Sequence, residues 1–277
     1  MPEKPLNPSL KNHEMRKFGI IGYPLGHSFS RGYFTEKFAR EHIDAVYEAF
    51  PMESITAFPA LVAGEPDLCG LNVTLPHKQA VMQYLDSLSP EAAAIGAVNV
   101  IKIVRRDGRP VMKGYNSDCM GFRGSIAPAI EAMRAGGETL QALVFGTGGA
   151  SRAVAYALLQ LNVQPVMVSR QPSTYRLGDG TQLDCMSYDD LTPQVMASHH
   201  VLVNATPMGM SPHVETFVPI PYQCLTGKHL LYDLVYNPEE TMFLRQGKEQ
   251  GAQTLSGLAM LYLQAQGSWQ VWSKSTL

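Results

Sequence analysis

The sequence predicts an α/β fold in two parts, of which the second is a doubly wound parallel sheet. Three observations support this prediction. The run Leu143–Ala153 combines an apolar strand, a glycine turn and the start of a helix. Strand and helix patterns then alternate from residue 141 to residue 250, which is typical of a parallel sheet. In residues 17–118, polar residues gather where predicted strands end, and open α/β sheets bind ligands at such ends.

Length and composition exclude several classes of protein. The 277 residues are enough for one large or two modest domains, and 45% hydrophobic with 17% charged residues is ordinary for a globular chain. A net charge of −2 favours neither nucleic acid nor an acidic membrane surface as a partner. No apolar run reaches the roughly 20 residues that span a bilayer. Residues 1–16 lack the apolar core of a signal peptide, and we expect a flexible extension there.

The four cysteines indicate neither a disulfide framework nor a metal site. They are widely scattered and match neither a CxxC pair nor a zinc spacing: Cys69, Cys119, Cys185 and Cys224. We therefore expect reduced thiols in a cytoplasmic protein.

The first part begins with a buried strand at 17–23 and a loop rich in glycine, proline and serine. A helix begins near Ser30, and either Ser28 or Ser30 can cap it, which leaves a spare hydroxyl for a polyol ligand. The remaining elements are, in order, a strand at 45–50, a helix through 55–58, a strand at 68–74, a helix at 90–97 and a hairpin of strands 98–104 and 111–115 around Asp107-Gly108.

Polar residues follow the strands of this first part. Pro76 ends the third strand and can open a helix, which would put Lys78 in its first turn. A lysine there opposes the helix dipole, which disfavours its positive charge. Lys78 could therefore have a functional role, or it could be an ordinary surface lysine. Asn99 and Asp118 stand at strand ends, where such residues are often only turn formers.

A helix at 120–135, broken by Gly136-Gly137, leads into the second part of the chain. Its elements alternate as a doubly wound sheet requires: strand 141–145, helix 150–161, strands 165–169 and 182–186, helix 188–197, strands 201–204 and 229–233, and helix 239–250. A last apolar helix opens at Gly257 and carries the polar Gln264.

The glycine turn at Gly146, Gly148 and Gly149 predicts a dinucleotide site. Glycines let the backbone turn sharply, and the first N–H groups of the following helix then point at a phosphate. The third glycine of the G-x-G-x-x-G pattern is replaced by Ser151, and such a pattern alone can also be a simple tight turn. The strand before it and the helix after it favour the nucleotide.

The residue at the end of the second strand of this dinucleotide-binding unit, 165–169, distinguishes NAD from NADP. An acid there would hold the ribose 2′-hydroxyl of NAD, but the chain has Ser169-Arg170. Because arginine can form two hydrogen bonds with the 2′-phosphate of NADP, we expect NADP rather than NAD. A solvated arginine at a strand end is the other interpretation.

Two further loops follow strands at the same edge of the sheet. Residues 204–210 contain Thr206 and residues 233–238 contain Leu234 and Tyr236. Both loops are expected to line the cofactor, while Tyr236 could either pack in the core or aim its hydroxyl at the cleft.

The chain resembles the shikimate dehydrogenase family from Lys17 to about Ser268. Eight motifs carry the resemblance, in the family's order: Gly22-x-Pro24-Leu25-x-His27-Ser28-x-Ser30, Asn72-Val73-Thr74-x-Pro76-x-Lys78, Gly96-Ala97-Val98-Asn99, Gly114-x-Asn116-x-Asp118, Gly146-x-Gly148-Gly149-Ala150-Ser151-Arg152, Asn204-Ala205-Thr206-Pro207-x-Gly209-Met210, Asp233-x-Val235-Tyr236-Asn237-Pro238 and Gly257-x-x-Met260-Leu261-x-x-Gln264.

The resemblance implies an architecture and an activity. It implies a substrate domain at 17–119 completed by a C-terminal helix at 257–277, and a Rossmann domain at 120–256 that binds NADP. The implied reaction is the reversible NADPH-dependent reduction of 3-dehydroshikimate to shikimate, on the route to chorismate and the aromatic amino acids. The implied assembly is a monomer or homodimer without a metal.

The resemblance also implies residue roles. Lys78 and Asp118 would be the catalytic pair. The substrate would contact Ser28, Ser30, Thr74, Lys78, Asn99, Asp118, Tyr236 and Gln264. The cofactor would contact Gly146, Thr147, Gly148, Gly149, Ala150, Ser169, Arg170, Thr206, Leu234 and Gly257.

The sequence departs from the family pattern at two internal positions, and it also stops soon after Trp272, so we expect a short last helix. Arg31 replaces the usual proline after the second serine, and Ser169-Arg170-Gln171 replaces Asn-Arg-Thr, with a second arginine displaced to Arg176. The second departure puts the strength of NADP preference in doubt. A quinate/shikimate dehydrogenase using either cofactor is therefore the alternative. A non-catalytic sensing module is disfavoured because Lys78 and Asp118 are both present.

Overall fold

The computed structural model describes residues 15–25, 29–134 and 140–274. Within these ranges the chain forms two six-stranded sheets, with helices packed on both. The first sheet is built from residues 16–115 and the second from residues 141–255. The predicted α/β class is confirmed.

The first sheet is mixed rather than parallel throughout. Its strands are β1 (Arg16–Gly22), β2 (Ala45–Pro51), β3 (Leu68–Val73), β4 (Ser87–Leu88), β5 (Val100–Arg106) and β6 (Arg109–Tyr115), in the spatial order β2-β1-β3-β5-β6-β4. β1 pairs in parallel with both β2 and β3, whereas β5 is antiparallel to β3 and to β6. The carboxyl ends of β1 and β3 therefore lie side by side, and the Thr74 N–H donates to the Ile21 carbonyl oxygen at 2.9 Å.

Four α-helices belong to this half: α1 (Phe29–Arg40), α2 (Phe58–Gly64), α3 (Pro90–Ile95) and α4 (Ser117–Arg134). The Ser89 hydroxyl caps α3 by accepting from the Ala92 N–H at 3.1 Å. Gly96 ends that helix in the left-handed region at φ 73°. α4 begins three residues before the predicted 120, so Asp118 lies in its first turn.

The second sheet is parallel throughout. The strands of this half are β7 (Gln141–Phe145), β8 (Gln164–Val168), β9 (Tyr175–Arg176), β10 (Gln182–Leu183), β11 (Cys185–Met186), β12 (Val201–Asn204), β13 (Leu230–Asp233) and β14 (Gln253–Leu255). The spatial order is β11-β8-β7-β12-β13-β14, and β9 and β10 form a separate antiparallel hairpin. In sequence terms this is the 3-2-1-4-5-6 order of a doubly wound dinucleotide fold, whose switch point lies between β7 and β12.

The helices of this half are α5 (Gly149–Gln160), α6 (Pro193–Ser198), α7 (Met242–Glu249) and α8 (Leu258–Ser273). The last of these returns to the first sheet, as predicted. Trp272 Nε1 donates to the Ile101 carbonyl oxygen at 3.0 Å, and its ring centroid lies 4.9 Å from Phe18 and 5.2 Å from Phe34. The exact domain limits of 17–119, 120–256 and 257–277 stay a prediction.

Three predicted elements were wrong in detail. Lys78 does not stand in a helix: the His77 N–H donates to the Thr74 carbonyl oxygen at 3.0 Å, which closes a turn, and only a 3-10 helix at Ala80–Tyr84 follows. The predicted strand 182–186 is divided, because its first half pairs with β9 and its second half with β8.

The predicted helix 188–197 is also divided. Tyr188–Asp190 forms a 3-10 turn, and α6 restarts where the Thr192 hydroxyl caps Val195 at 3.3 Å. Pro193 supplies the first residue of α6 because its missing N–H costs nothing at that position. Arg16 already belongs to β1, so the predicted extension 1–16 is too long by that residue. Residues 1–14 and the Gly136-Gly137 break lie outside the described residues.

Candidate active site

The side chain of Lys78 lies against the glycine turn that follows β7. A Cβ atom at position 149 would come within 2.8 Å of the Lys78 Cβ, so only glycine permits this approach. Lys78 follows β3 of the first sheet, whereas Gly149 opens α5 on the second. The two halves of the chain therefore meet where the sequence predicts a ligand in each.

Lys78 and Asp118 form an ion pair at this junction. Lys78 Nζ lies 2.6 Å from Asp118 Oδ2, and the two side chains are 13% and 2% exposed. The lysine main chain is also held, because the Val98 N–H donates to its carbonyl oxygen at 2.7 Å. Removing either partner would leave a charge buried without compensation. Lys78 is the more exposed of the two partners.

Asn99 fixes the other carboxylate oxygen of Asp118. Its Nδ2 donates to Asp118 Oδ1 at 2.8 Å, and its Oδ1 accepts from the Ser117 N–H at 2.7 Å. Both Asn99 and Asp118 are buried. The carboxylate is thus held in one orientation, with Oδ2 directed at the lysine.

Asn116 is a structural residue that sequence reasoning left without a role. Its Nδ2 donates to the Ala97 carbonyl oxygen at 2.9 Å, and its Oδ1 accepts from the Cys119 N–H at 3.1 Å. The second bond caps α4 and so sets where Asp118 enters the cleft. The sequence did contain a signal for this cap, namely an asparagine three residues before a helix N–H that has no acceptor within its own helix.

Of the remaining predicted substrate contacts, Ser30 and Gln264 lie on the helices α1 and α8. Ser30 lies in the first turn of α1, beside the buried Tyr47 phenol. Gln264 lies on α8, and its backbone nitrogen would be 3.1 Å from a Cβ at Gly121, one turn beyond Asp118 on α4. Ser28 lies outside the described residues.

Tyr236 reaches across from the second half of the chain. Its ring centroid lies 6.3 Å from that of Phe29, in an edge-on arrangement at the start of α1. Burial raises the pKa of the Tyr236 phenol, so its hydroxyl stays protonated. The Tyr236 ring is half-buried and contacts the start of α1.

Four polar side chains beneath these residues were missed by sequence reasoning. Tyr47, Asn72, Ser117 and Ser268 form hydrogen bonds with one another or with Asn99. Asn72 alone stood in a quoted motif. The others gave no signal because their partners are far away in sequence.

The glycine turn is shaped to receive a phosphate. Gly146 has φ +105°, a conformation that favours glycine, and a Cβ there would lie 3.1 Å from the Ala205 carbonyl oxygen. Gly148 precedes α5 and has open space beside it. The first N–H groups of α5 have no acceptor within the helix, so they can serve an anion. These features fit the pyrophosphate of a dinucleotide.

The end of β8 carries the predicted selector of the cofactor. The Gln171 N–H donates to Ser169 Oγ at 3.2 Å, which turns the chain and leaves Arg170 exposed. No acid occupies this strand end. The donor set at the end of β8 therefore suits a 2′-phosphate rather than a bare 2′-hydroxyl.

Arg176 lies elsewhere, on the β9–β10 hairpin. Its guanidinium donates to the Gly180 carbonyl oxygen at 3.5 Å, and its own carbonyl oxygen accepts from Arg152 Nη2 at 2.5 Å. Arg152 Nε also donates to the Ile95 carbonyl oxygen at 2.9 Å, which ties the hairpin to the end of α3. Arg176 thus belongs to a contact between the two halves.

Asp233 anchors both loops that the sequence predicts along the cofactor. Its Oδ1 accepts from Asn204 Nδ2 and the Val235 N–H, each at 2.9 Å, and its Oδ2 accepts from Thr241 Oγ1 at 2.6 Å. Asn204 Oδ1 in turn accepts from Thr206 Oγ1 at 2.6 Å. Burial raises the pKa of Asp233 to about 6, although these hydrogen bonds oppose the rise.

Neither a metal cluster nor a membrane span emerges from the described ranges. Within them, no group of three His, Cys, Asp or Glu side chains converges as metal ligands. No helix in that part of the chain has the length and apolar character to cross a bilayer.

The chain is similar to proteins of one family along almost its whole length. A family model described as the shikimate dehydrogenase substrate binding domain matches residues 20–101. The NADP(+) shikimate dehydrogenase of Desulforamulus reducens is 33% identical over 282 residues, which cover 96% of this chain and 92% of that protein.

Two solved structures are informative for substrate and cofactor. Shikimate 5-dehydrogenase from Thermus thermophilus, in complex with NADP(H) and shikimate, is 32% identical with a TM-score of 0.74 and covers 94% of each chain. Quinate dehydrogenase from Corynebacterium glutamicum, in complex with NAD, is 26% identical with a TM-score of 0.77 and covers 93% of each chain.

Proposed function

The chain belongs to the shikimate dehydrogenase family, and we propose on that basis that it reduces 3-dehydroshikimate to shikimate with NADPH, reversibly. One observation carries the proposal. The Lys78–Asp118 pair, with Nζ and Oδ2 2.6 Å apart, stands directly against the glycine turn of a dinucleotide sheet. A proton donor beside a dinucleotide turn is what reduction of a ketone requires.

We assign substrate binding to the polar residues around this pair. Tyr236 and Gln264 approach from the loop after β13 and from α8, while Thr74 and Asn99 lie at strand ends of the first sheet. With Ser28, Ser30, Lys78 and Asp118 they would bind the carboxylate and hydroxyls of a cyclic polyol acid. Several hydroxyls and amides suit such a ligand better than an apolar one.

We assign cofactor binding to the turn and the loops of the second sheet. The pyrophosphate would lie at Gly146–Ala150, the 2′-phosphate at Ser169 and Arg170, and the nicotinamide side at Thr206, Leu234 and Gly257. NADPH, when bound, supplies the hydride that reduces the carbonyl carbon of the substrate.

The protein's own contribution is proton transfer and orientation. As hydride arrives, negative charge develops on the ketone oxygen, and the Lys78 ammonium donates a proton to that oxygen from Nζ. Asp118 Oδ2 holds Nζ in place, and Asn99 holds Asp118. In the oxidative direction neutral Lys78 takes the proton back from the substrate hydroxyl.

A quinate dehydrogenase using NAD is the second candidate. It is favoured by the similarity to the Corynebacterium glutamicum enzyme and by the position of Arg176 away from the end of β8. The resemblance to the family implies serine at position 74 in quinate-using members, so Thr74 counts against this candidate.

A four-way assay separates these candidates. The purified protein is given shikimate or quinate with NADP or NAD, and reduced cofactor is followed at about 340 nm. We expect shikimate with NADP to give the highest kcat/KM. Quinate with NAD as the best combination would overturn the proposal, and no turnover with any combination would favour a non-catalytic sensing module.

We also propose the domain limits, location and assembly that the sequence suggested. Residues 17–119 with 257–277 would bind substrate, and residues 120–256 would bind NADP. Four free thiols support a reducing, cytoplasmic location. A monomer or homodimer is proposed, and light scattering on the purified protein tests it.

A further inference from the structure

The side-chain amide of Asn72 lies at the centre of a hydrogen-bond network below the candidate active site. Its Oδ1 accepts from the Tyr47 hydroxyl at 2.8 Å, and its Nδ2 donates to Ser268 Oγ at 2.8 Å. The same Nδ2 approaches the Asn99 carbonyl oxygen at 3.3 Å. The mechanism above assigns no role to this residue.

The partners of Asn72 all require the same orientation of its amide. Burial raises the pKa of the Tyr47 phenol, so Tyr47 keeps its single proton and donates it to Oδ1. Ser268 gives its proton to the Gln264 carbonyl oxygen at 3.0 Å and must therefore accept from Nδ2. The Asn99 carbonyl oxygen can only accept. No rotation of the amide would satisfy them equally well.

Each partner of Asn72 leads to a residue proposed to bind substrate. The Ser30 side chain, at the start of α1, lies next to the Tyr47 phenol. Ser268 is bonded to Gln264, one turn earlier on α8. The third partner is the main chain of Asn99 itself. Asn72 and Ser268 are separated by 196 residues in sequence, so this amide joins segments that nothing local would hold together.

We propose that Asn72 is a positioning residue that holds Ser30, Asn99 and Gln264 at the spacing a cyclic polyol acid requires. This inference rests on the proposed function and deepens it. Asn72 acts through these neighbours on binding of the substrate and leaves proton transfer by Lys78 and Asp118 unchanged. Its loss should therefore weaken substrate and transition state equally, which raises KM with little effect on kcat.

The test is steady-state shikimate oxidation by the variant Asn72→Leu, which has a similar volume but no amide. We expect the KM for shikimate to rise by at least about 10-fold, as losing one to two net hydrogen bonds implies. The KM for NADP should change by less than about twofold, and kcat by less than about threefold. An unchanged KM for shikimate in a folded Asn72→Leu protein would overturn the proposal.

Variants that each remove one hydrogen-bond partner of Asn72 keep the test decisive if Asn72→Leu does not fold. Tyr47→Phe and Ser268→Ala each remove one partner, and each should raise the KM for shikimate about 3-fold or more. Tyr232→Phe is the matched control, because it removes a buried phenol bonded to Ser125 at 2.7 Å in the second half's core. Equal effects of Tyr47→Phe and Tyr232→Phe on that KM would refute the positioning role.

The outcomes also separate this inference from the proposed function. A wild-type protein that does not oxidise shikimate refutes the proposed function, and the positioning role falls with it. If the wild-type protein oxidises shikimate and the Asn72→Leu, Tyr47→Phe and Ser268→Ala variants all keep its KM for shikimate, only the positioning role of Asn72 is refuted.

Discussion

Two buried carboxylates at the ends of strands or helices perform different tasks in this protein. Both Asp118 and Asp233 are buried. Asp118 faces the Lys78 ammonium at 2.6 Å, whereas the donors around Asp233 are the neutral groups of Asn204, Val235 and Thr241. A buried carboxylate whose charge is matched can take part in chemistry at the cleft. One that meets only neutral donors serves as an anchor for loops.

The pKa of Asp233 reflects this difference. Desolvation raises it to about 6, and the hydrogen bonds from neutral donors offset only part of the rise. Its hydrogen bonds can tolerate a neutral side chain, since the Thr241 hydroxyl can turn from donor to acceptor. Asp118 has no such freedom, because the neighbouring Lys78 needs a negative charge. The comparison therefore predicts that the negative charge is essential at Asp118 and dispensable at Asp233.

The largest effect is expected from removing the proton donor. Lys78→Ala should lower kcat for shikimate oxidation by at least about 100-fold, the low end for loss of a general acid or base. The measurement is steady-state kinetics at saturating substrate and cofactor. Near-normal turnover would refute the role of the lysine.

A smaller effect is expected at the far end of the cofactor site. Arg170→Ala should lower kcat/KM for NADP relative to NAD by about 10-fold, the value of a charge-assisted hydrogen bond. Arg176→Ala is the matched control and should change this ratio by less than about 3-fold, since its guanidinium faces its own hairpin. A larger loss in Arg176→Ala would place the 2′-phosphate at the hairpin instead.

A third effect concerns stability rather than rate. Because folding raises the pKa of Asp233 from 3.8 to about 6, the folded protein keeps this proton between about pH 4 and 6, whereas the unfolded chain releases it. The free energy of unfolding therefore falls as pH rises through this window. Asp233 contributes about 2 to 3 kcal/mol to that fall.

Denaturant unfolding across pH 4 to 7 checks this contribution by comparing the wild type with Asp233→Asn. The variant should gain stability relative to the wild type as pH rises, and the difference should level off above about pH 6. A difference that is constant with pH would show that Asp233 does not titrate in this window.

The sequence predicted the fold and the site residues better than it predicted the hydrogen bonds that connect distant segments. Periodicity and glycine placement predicted the parallel sheet, and the family resemblance implied that Lys78, Asp118 and Asn99 contact one substrate. They did not reveal that Lys78 stands in a turn, because a proline after a strand can open either a turn or a helix. Nor did they reveal the Asn72–Ser268 bond, since hydrogen bonds between distant segments leave no periodic trace.

Loop anchoring by Asp233 was equally invisible before the fold was known. In sequence, Asp233 is one polar residue at the end of an apolar strand. Only the parallel pairing of β12 and β13 places Asn204 opposite it, so that the two loops share one carboxylate. Sequence patterns identify which residues stand at a sheet edge, while register decides which of them meet.

The most direct test of the comparison is the pair of isosteric variants Asp118→Asn and Asp233→Asn, assayed side by side with shikimate and NADP at about pH 8. Each exchange removes one buried charge and keeps the volume. We predict that Asp118→Asn lowers kcat at least about 10-fold, because Lys78 loses its charged partner, while Asp233→Asn stays within about 3-fold of wild type in kcat and in the KM for NADP. Equal losses in the two variants would contradict the account.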